Sequence, residues 1–233
     1  MRDVLLRDVE ILHVGEQGWG VKVGLLNPVG EVDRHLTSIV NSNVTVESCH
    51  FDGLAGTLEM LLVLNTEHVR VIDTTFRNSS AGNGLGVYQW TRDVSVSGCR
   101  FESIRWGIYI STSCNDTLIT DSSFVGGDNG IKGAMQSDND CSNLLEGSPM
   151  QPTYPWCSQN LGQYATVFGV PRSHNITIEG CSFRNESIGI ALGAVADVSI
   201  RRSTFAHNRI LGIALGRGCV SPRPTDLLGI PTR

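Results

Sequence analysis

One nine-residue pattern recurs along the chain and limits what it can fold into. Asn43-Val-Thr-Val-Glu-Ser-Cys-His-Phe51 returns as Asp93-Val-Ser-Val-Ser-Gly-Cys-Arg-Phe101, as Asn175-Ile-Thr-Ile-Glu-Gly-Cys-Ser-Phe183 and as Asp197-Val-Ser-Ile-Arg-Arg-Ser-Thr-Phe205. Looser copies run from His68 to Phe76, from Asp116 to Phe124 and from Asp3 to Ile11. Successive copies start 40, 25, 25, 23, 59 and 22 residues apart. Self-similarity at a period near two dozen residues is the mark of a repeat architecture. After each aromatic position comes a polar turn. Most copies then show a second apolar stretch, as in Gly107-Ile-Tyr-Ile110, Gly189-Ile-Ala-Leu192 and Gly212-Ile-Ala-Leu215.

Within a copy the apolar residues alternate, which is the period of a half-buried strand. One copy cannot bury its apolar row alone. Stacked at a strand spacing of ~4.8 Å, copies pair strand on strand and enclose a continuous interior. This predicts an all-β solenoid, a parallel β-helix of about seven coils, each with three short strands. One inward row holds Val4, Val44, Val69, Val94, Ile176 and Val198; another holds Ile11, Phe51, Phe76, Phe101, Phe124, Phe183 and Phe205 as a stacked ladder. A β-sandwich or a propeller would need longer strands or units of about 40 residues. Composition agrees: 26 glycines in 233 residues and only 18% charged residues suit a turn-rich β protein.

The motif N-[VI]-T-[IV]-x-x-[CS]-x-F followed by G-I-x-[IL] resembles the right-handed parallel β-helices of the pectin-lyase-like superfamily, over roughly residues 3 to 216. That resemblance implies a right-handed coil. It also implies that the G-I-x-[IL] strands form the sheet across which such proteins usually lay their substrate. It does not imply one reaction, because relatives include polysaccharide lyases, glycoside hydrolases, uronate epimerases, tailspikes and surface proteins. The expected organisation is a single β-helix domain over 1–216, with loops inserted at about 25–42 and 136–174, and a proline-bearing tail over 217–233. The insertions leave the same edge of the substrate-facing sheet and are expected to wall a groove or cover apolar surface.

Taking the middle residue of each G-I-x-[IL]-like strand gives an outward row of Lys22, Leu62, Tyr88, Tyr109, Lys132, Ala191 and Ala214. Its centre combines aromatic faces, which stack on sugar rings, with a cation that can hold a carboxylate. Arg105 and Trp106 precede this centre, and Gln89 and Trp90 follow it. The expected partner is therefore an acidic polysaccharide, with Trp106, Trp90 and Gln89 as binding residues. β-Elimination on a uronic acid needs a cation at the carboxylate, a base for the α-proton and an acid for the leaving oxygen. Lys132, Arg105, Tyr109 and Tyr88 are the right residue types for those catalytic roles, in a lyase or an epimerase. Paired carboxylates with the Asp-Asp and Gly-His-Gly pattern of polygalacturonase-like hydrolases are not visible. The alternative is a non-catalytic binding or structural module of a larger surface or tailspike-like protein, and residue type alone does not decide between the two. Asp128, Asp138 and Asp140 form a candidate Ca²⁺ set, since a hard cation wants several oxygens.

Cys49, Cys99 and Cys181 share one repeat position and are expected inside as small apolar residues. Cys114, Cys141, Cys157 and Cys219 fall in turns, the large insertion and the tail. They are expected to be available for disulfides, Cys141 with Cys157 first. Five N-glycosylation sequons start at Asn43, Asn78, Asn115, Asn175 and Asn185. Loop cysteines and sequons together point to an extracellular or cell-surface setting, although the first residues, broken by Asp3, Arg7, Asp8 and Glu10, are no signal peptide. The first coil begins without a cap, which suggests further domains in a longer parent chain. A net charge of −5 argues against nucleic acid as the main partner, and no apolar run is long enough to span a membrane.

Overall fold

The computed structural model describes residues 2–14, 18–24, 41–53, 59–88, 91–111, 114–133, 173–193 and 195–216. Every element among them is a β-strand, and every pairing is parallel. The first ladder is formed by β1 (Arg2–Arg7), β4 (Asn41–Glu47), β7 (Thr66–Ile72), β9 (Arg92–Ser97), β11 (Asn115–Thr120), β14 (Ser173–Glu179) and β17 (Val195–Arg201), in that order. A second ladder runs β2 (Glu10–Val14), β5 (His50–Gly53), β8 (Thr75–Tyr88), β10 (Arg100–Ile110), β12 (Ser123–Val125), β15 (Ser182–Arg184) and β18 (Thr204–Ala206). A third runs β3 (Trp19–Val23), β6 (Glu59–Leu64), the far ends of β8 and β10, β13 (Asn129–Gly133), β16 (Ile188–Gly193) and β19 (Leu211–Gly216). The long strands β8 and β10 turn the corner and join the last two ladders into one sheet. Each repeat thus contributes one strand to each ladder, the arrangement expected of a β-helix-like solenoid. No helix among the described residues is long and apolar enough to cross a membrane.

The inward rows are those the alternation predicts. Val4, Val44, Val69, Val94, Thr117, Ile176 and Val198 stand in register. Thr117 is the residue absent from the apolar reading of that row. It is buried, and its hydroxyl has no hydrogen-bond partner. The phenylalanines stack with ring centroids 4.8–4.9 Å apart and planes within 13° of parallel. That distance is the strand spacing itself, which holds each ring in the attractive stacked range.

The polar residue that opens each copy has a backbone reason. Asp3, Asn43, His68, Asp93, Asp116, Asn175 and Asp197 all have φ between 53° and 57°. Asn, Asp and His tolerate this left-handed corner better than other side-chain-bearing residues. The stacked corners also bond to one another: Asn43 donates to Asp3 at 2.8 Å, Asn175 donates to Asp116 at 2.7 Å, and His68 meets Asp93. Two further left-handed corners follow in most copies, for instance Asp73 and Asn78 or Asp121 and Gly126.

The glycines that open the G-I-x-[IL] stretches before the last repeat are set by the phenylalanine ladder. A Cβ on Gly107 would lie 2.6 Å from Phe124 Cδ1, and one on Gly130 would lie 2.5 Å from Phe183 Cδ1. No side chain fits where the next ring crosses the backbone.

Cys49, Cys99 and Cys181 are buried thiols, as expected, and they alternate with hydroxyls in one column. The Cys49, Cys99 and Cys181 amides donate to the hydroxyls of Thr74, Ser122 and Ser203. Each hydroxyl donates in turn to the carbonyl two residues before it. Burial pushes the Cys99 thiol up to about 12, so it is an inert core group. Cys114 departs from its expected place in a loop. It lies in a parallel inward column, its amide bonded to Ser173 Oγ and its thiol to the Val87 carbonyl, and burial raises it to about 12 as well. No disulfide joins the described cysteines; Cys141, Cys157 and Cys219 lie outside the described residues. The insertions are shorter than expected, because Asn41–Ser42 and Ser173–His174 already belong to β4 and β14. Their remaining residues, like the tail over 217–233, lie outside the described residues.

Candidate functional site

The outer face of the third ladder carries two adjacent columns. One is Trp19, Glu59, Asn83, Trp106, Asn129, Ile188 and Leu211; the other is Lys22, Leu62, Gly86, Tyr109, Lys132, Ala191 and Ala214. The second column corrects the row expected from sequence at one position. Tyr109 pairs with Gly86, while Tyr88 pairs with Leu64. Three glycines, Gly82, Gly84 and Gly86, precede Tyr88, and it is Gly84 that takes the place of Gly107 beneath the ring of Phe101. The register therefore slips by two residues from the one expected from sequence. The slip leaves Tyr88 near its expected place, because its ring folds back over Gly86: a Cβ there would lie 2.6 Å from Tyr88 Cε2. The missing side chain of Gly86 is the space that Tyr88 fills.

The result is a contiguous aromatic and charged strip. Tyr88 and Tyr109 lie 5.2 Å apart between ring centroids, and Tyr109 stacks on Trp106 at the same distance. Lys132 Nζ sits 3.6 Å from the centroid of the Trp106 ring, and the Arg105 guanidinium sits 4.3 Å from it. One indole thus holds two cations, each attracted by the ring quadrupole. Arg105 also donates to the Ala81 carbonyl at 3.2 Å. At the far end of the strip, Lys22 Nζ lies 4.8 Å from the Trp19 ring. From Lys22 to Lys132 the strip crosses five repeats, about 20 Å at ~4.8 Å per repeat.

Its middle contains an acid that sequence reading missed. Glu59 accepts three hydrogen bonds: Trp19 Nε1 to Oε2 at 2.7 Å, and Tyr88 Oη and Asn83 Nδ2 to Oε1 at 2.9 and 3.2 Å. Burial raises its pKa, and the three donors oppose that rise. Glu59 therefore ties the first repeat to the third and orients the Tyr88 hydroxyl. Its sequence signal is spacing: Glu59 lies 40 residues after Trp19, the same 40 that separate the starts of their copies.

The strip is less open than an exposed row would be. Lys132 is 4% exposed and Tyr109 is 7% exposed, whereas Arg105 and Lys22 are exposed and Trp106 is half-buried. Gln89 and Trp90 lie outside the described residues. Of the three acids expected at a Ca²⁺ site, Asp128 is exposed and lies 3.7 Å from Arg209 in an ion pair. Asp138 and Asp140 lie outside the described residues, and no group of three His, Cys, Asp or Glu among the described residues is placed to hold a metal.

A second buried acid lies away from the strip. Glu186 is 2% exposed, with Oε2 lacking a hydrogen-bond partner, and its amide donates to Asn208 Oδ1 at 3.1 Å. Burial pushes its carboxyl up to about 7. Comparison with family models, with curated proteins and with solved structures finds no match to this chain.

Proposed function

We propose that the chain is a right-handed parallel β-helix of about seven coils, of the pectin-lyase-like kind, that binds an acidic polysaccharide along the outer face of its third ladder. The observation that carries this reading is the strip Lys132–Trp106–Tyr109–Tyr88, with Arg105 on the same indole. Flat aromatic faces offer stacking to sugar rings, and Arg105 and Lys132 offer charge to carboxylates in a partly desolvated setting where such charge counts for more. The linear run over several coils suits a chain-like ligand. The sequons and a setting outside the cell fit such a ligand.

The same groups would support β-elimination or epimerisation. Arg105 and Lys132 would neutralise a uronate carboxylate, and Tyr88, bonded to Glu59, would move a proton. A second reading, a non-catalytic binding or structural module, is favoured by the burial of Lys132 and Tyr109. Equilibrium binding to a panel of acidic and neutral polysaccharides tests the proposal, with ultraviolet absorbance of unsaturated uronates followed in parallel. Binding to an acidic member that weakens at least ten-fold in Arg105→Ala and in Trp106→Ala supports it. Absorbance that rises, and is abolished in Lys132→Ala with the fold intact, makes the protein a lyase. Absence of binding to every acidic polysaccharide in a folded sample overturns the reading and leaves the structural module.

A further inference from the structure

We infer that the last repeat is an interface for a second copy of this chain, joined end to end about a two-fold axis. Among the described residues β17, β18 and β19 each have one neighbour only, β14, β15 and β16. No described strand pairs with their outer edges, whose backbone N–H and C=O groups can accept another strand. The apolar core is also more exposed there among the described residues. Ile213 and Leu215 are 40% and 65% exposed, although Ile190 and Leu192, their counterparts one repeat earlier, are fully buried. Leu211 and Ile210 add to the same apolar surface.

Charge selects the occupant. An antiparallel pairing of β17 with β17 of another copy, centred on Ser199, sets Asp197 opposite Arg201 twice over. It also sets Val198 opposite Ile200, and both belong to inward rows. Arg201 alone would guard a sheet edge against pairing. Asp197, four residues away and also exposed, supplies its complement in this register. The same axis exchanges the other two edge strands, so β18 of one copy faces β19 of the other and Phe205 meets the exposed leucine and isoleucine. Head-to-tail stacking on the first repeat is disfavoured, because the register would bring Asp3 to Asp197 and Arg7 to Arg201, and it would grow without closing.

The test is the mass of the full chain by light scattering over a concentration series, with sedimentation to obtain the dissociation constant. The wild type is expected to be a dimer of closed stoichiometry. Arg201→Asp is expected to weaken it ten-fold or more, and adding Asp197→Arg to that variant is expected to restore it. Circular dichroism and thermal unfolding confirm that both variants stay folded. A wild type that is monomeric at every concentration overturns the inference and leaves residues 217–233 or another protein as the cover. A dimer indifferent to both substitutions overturns the register, and with it the assignment of this end. Species growing beyond the dimer would overturn the two-fold arrangement.

Discussion

Replacing Gly107 by alanine tests why this repeat carries glycine before its third strand. The added Cβ would meet the Gly130 carbonyl oxygen at 2.5 Å and Phe124 Cδ1 at 2.6 Å. Ordinary contacts begin near 3.4 Å, so something must move by most of an ångström. Neither neighbour is free to do so: the carbonyl belongs to a strand with partners on both sides, and the ring is clamped between Phe101 and Phe183 at 4.8 Å. Overpacking of this kind costs about 1–3 kcal/mol, and a rigid backbone neighbour puts this case at the upper end. Alanine regains about 0.4–1 kcal/mol by restricting the unfolded chain. The expected net loss is about 2 kcal/mol, or roughly 4–8 °C in Tm for a chain of this length. Gly212 provides the control. It stands in the same column, but its nearest neighbour is Phe205 Cβ at 3.4 Å, an ordinary contact. Gly212→Ala should therefore cost nothing and only gain, by up to about 1 kcal/mol from restricting the unfolded chain. The assay is thermal and urea unfolding followed by circular dichroism. Equal losses at both positions, or none at Gly107, would refute the packing explanation and leave these glycines to some other cause.

Three other outcomes follow from single groups. Thr117→Val removes a buried hydroxyl without a partner from a row of valines and isoleucines, and is expected to raise stability by about 1 kcal/mol, measured as a rise in the urea midpoint at constant slope. Glu186 is protonated in both states below the unfolded carboxyl value of 4.5, and folding holds its proton up to about 7. Stability should therefore fall as pH rises from about 4.5 to 7 and then level off, by at most about 3 kcal/mol, and Glu186→Gln should flatten that slope in denaturation curves at pH 5 and 8. Glu59→Gln keeps an acceptor for Tyr88 and Asn83 but removes the charge, so near-ultraviolet circular dichroism of the tyrosines should change little. Glu59→Ala should disturb that signal and loosen amide exchange in β3.

Much of the fold was legible because interior positions obey a strict rule. Period-two alternation, an aromatic at the ninth position and a corner residue of the Asn, Asp or His type are each forced by stacking at one fixed spacing, so each leaves a repeated mark. Cys99 and Ser122 occupy equivalent places for the same reason: a small polarisable or hydroxyl-bearing group there satisfies the amide of the repeat beside it. Thr117 could be missed, because a single polar residue in an apolar row breaks the pattern without breaking the ladder. Cys114 was misplaced because it follows a polar stretch, Ser111-Thr-Ser113, that looks like a turn. Its column shows in the hydrogen bonds to Ser173, across the large insertion, and to the Val87 carbonyl.

The strip was only half legible, and the reason is physical. Outer-face side chains are not forced by stacking, so no repeat unit announces them and each must be placed by register alone. Tyr109 and Lys132 each follow one unambiguous Gly-Ile step, and they stand in the same column, as the repeat predicts. Tyr88 follows three glycines, and its role comes from bending back over Gly86, which alternation cannot express. Glu59 stands at the same place in its copy as Trp19 does in the first, but spacing alone does not say that the two side chains bond. A solenoid separates the two kinds of information. Its interior repeats because every coil solves one packing problem, while its surface departs from the repeat wherever it does something particular. The departures cluster on Glu59, Tyr88, Trp106, Tyr109 and Lys132, and that clustering is the reason the proposed binding reading rests on this face and not on another side of the stack.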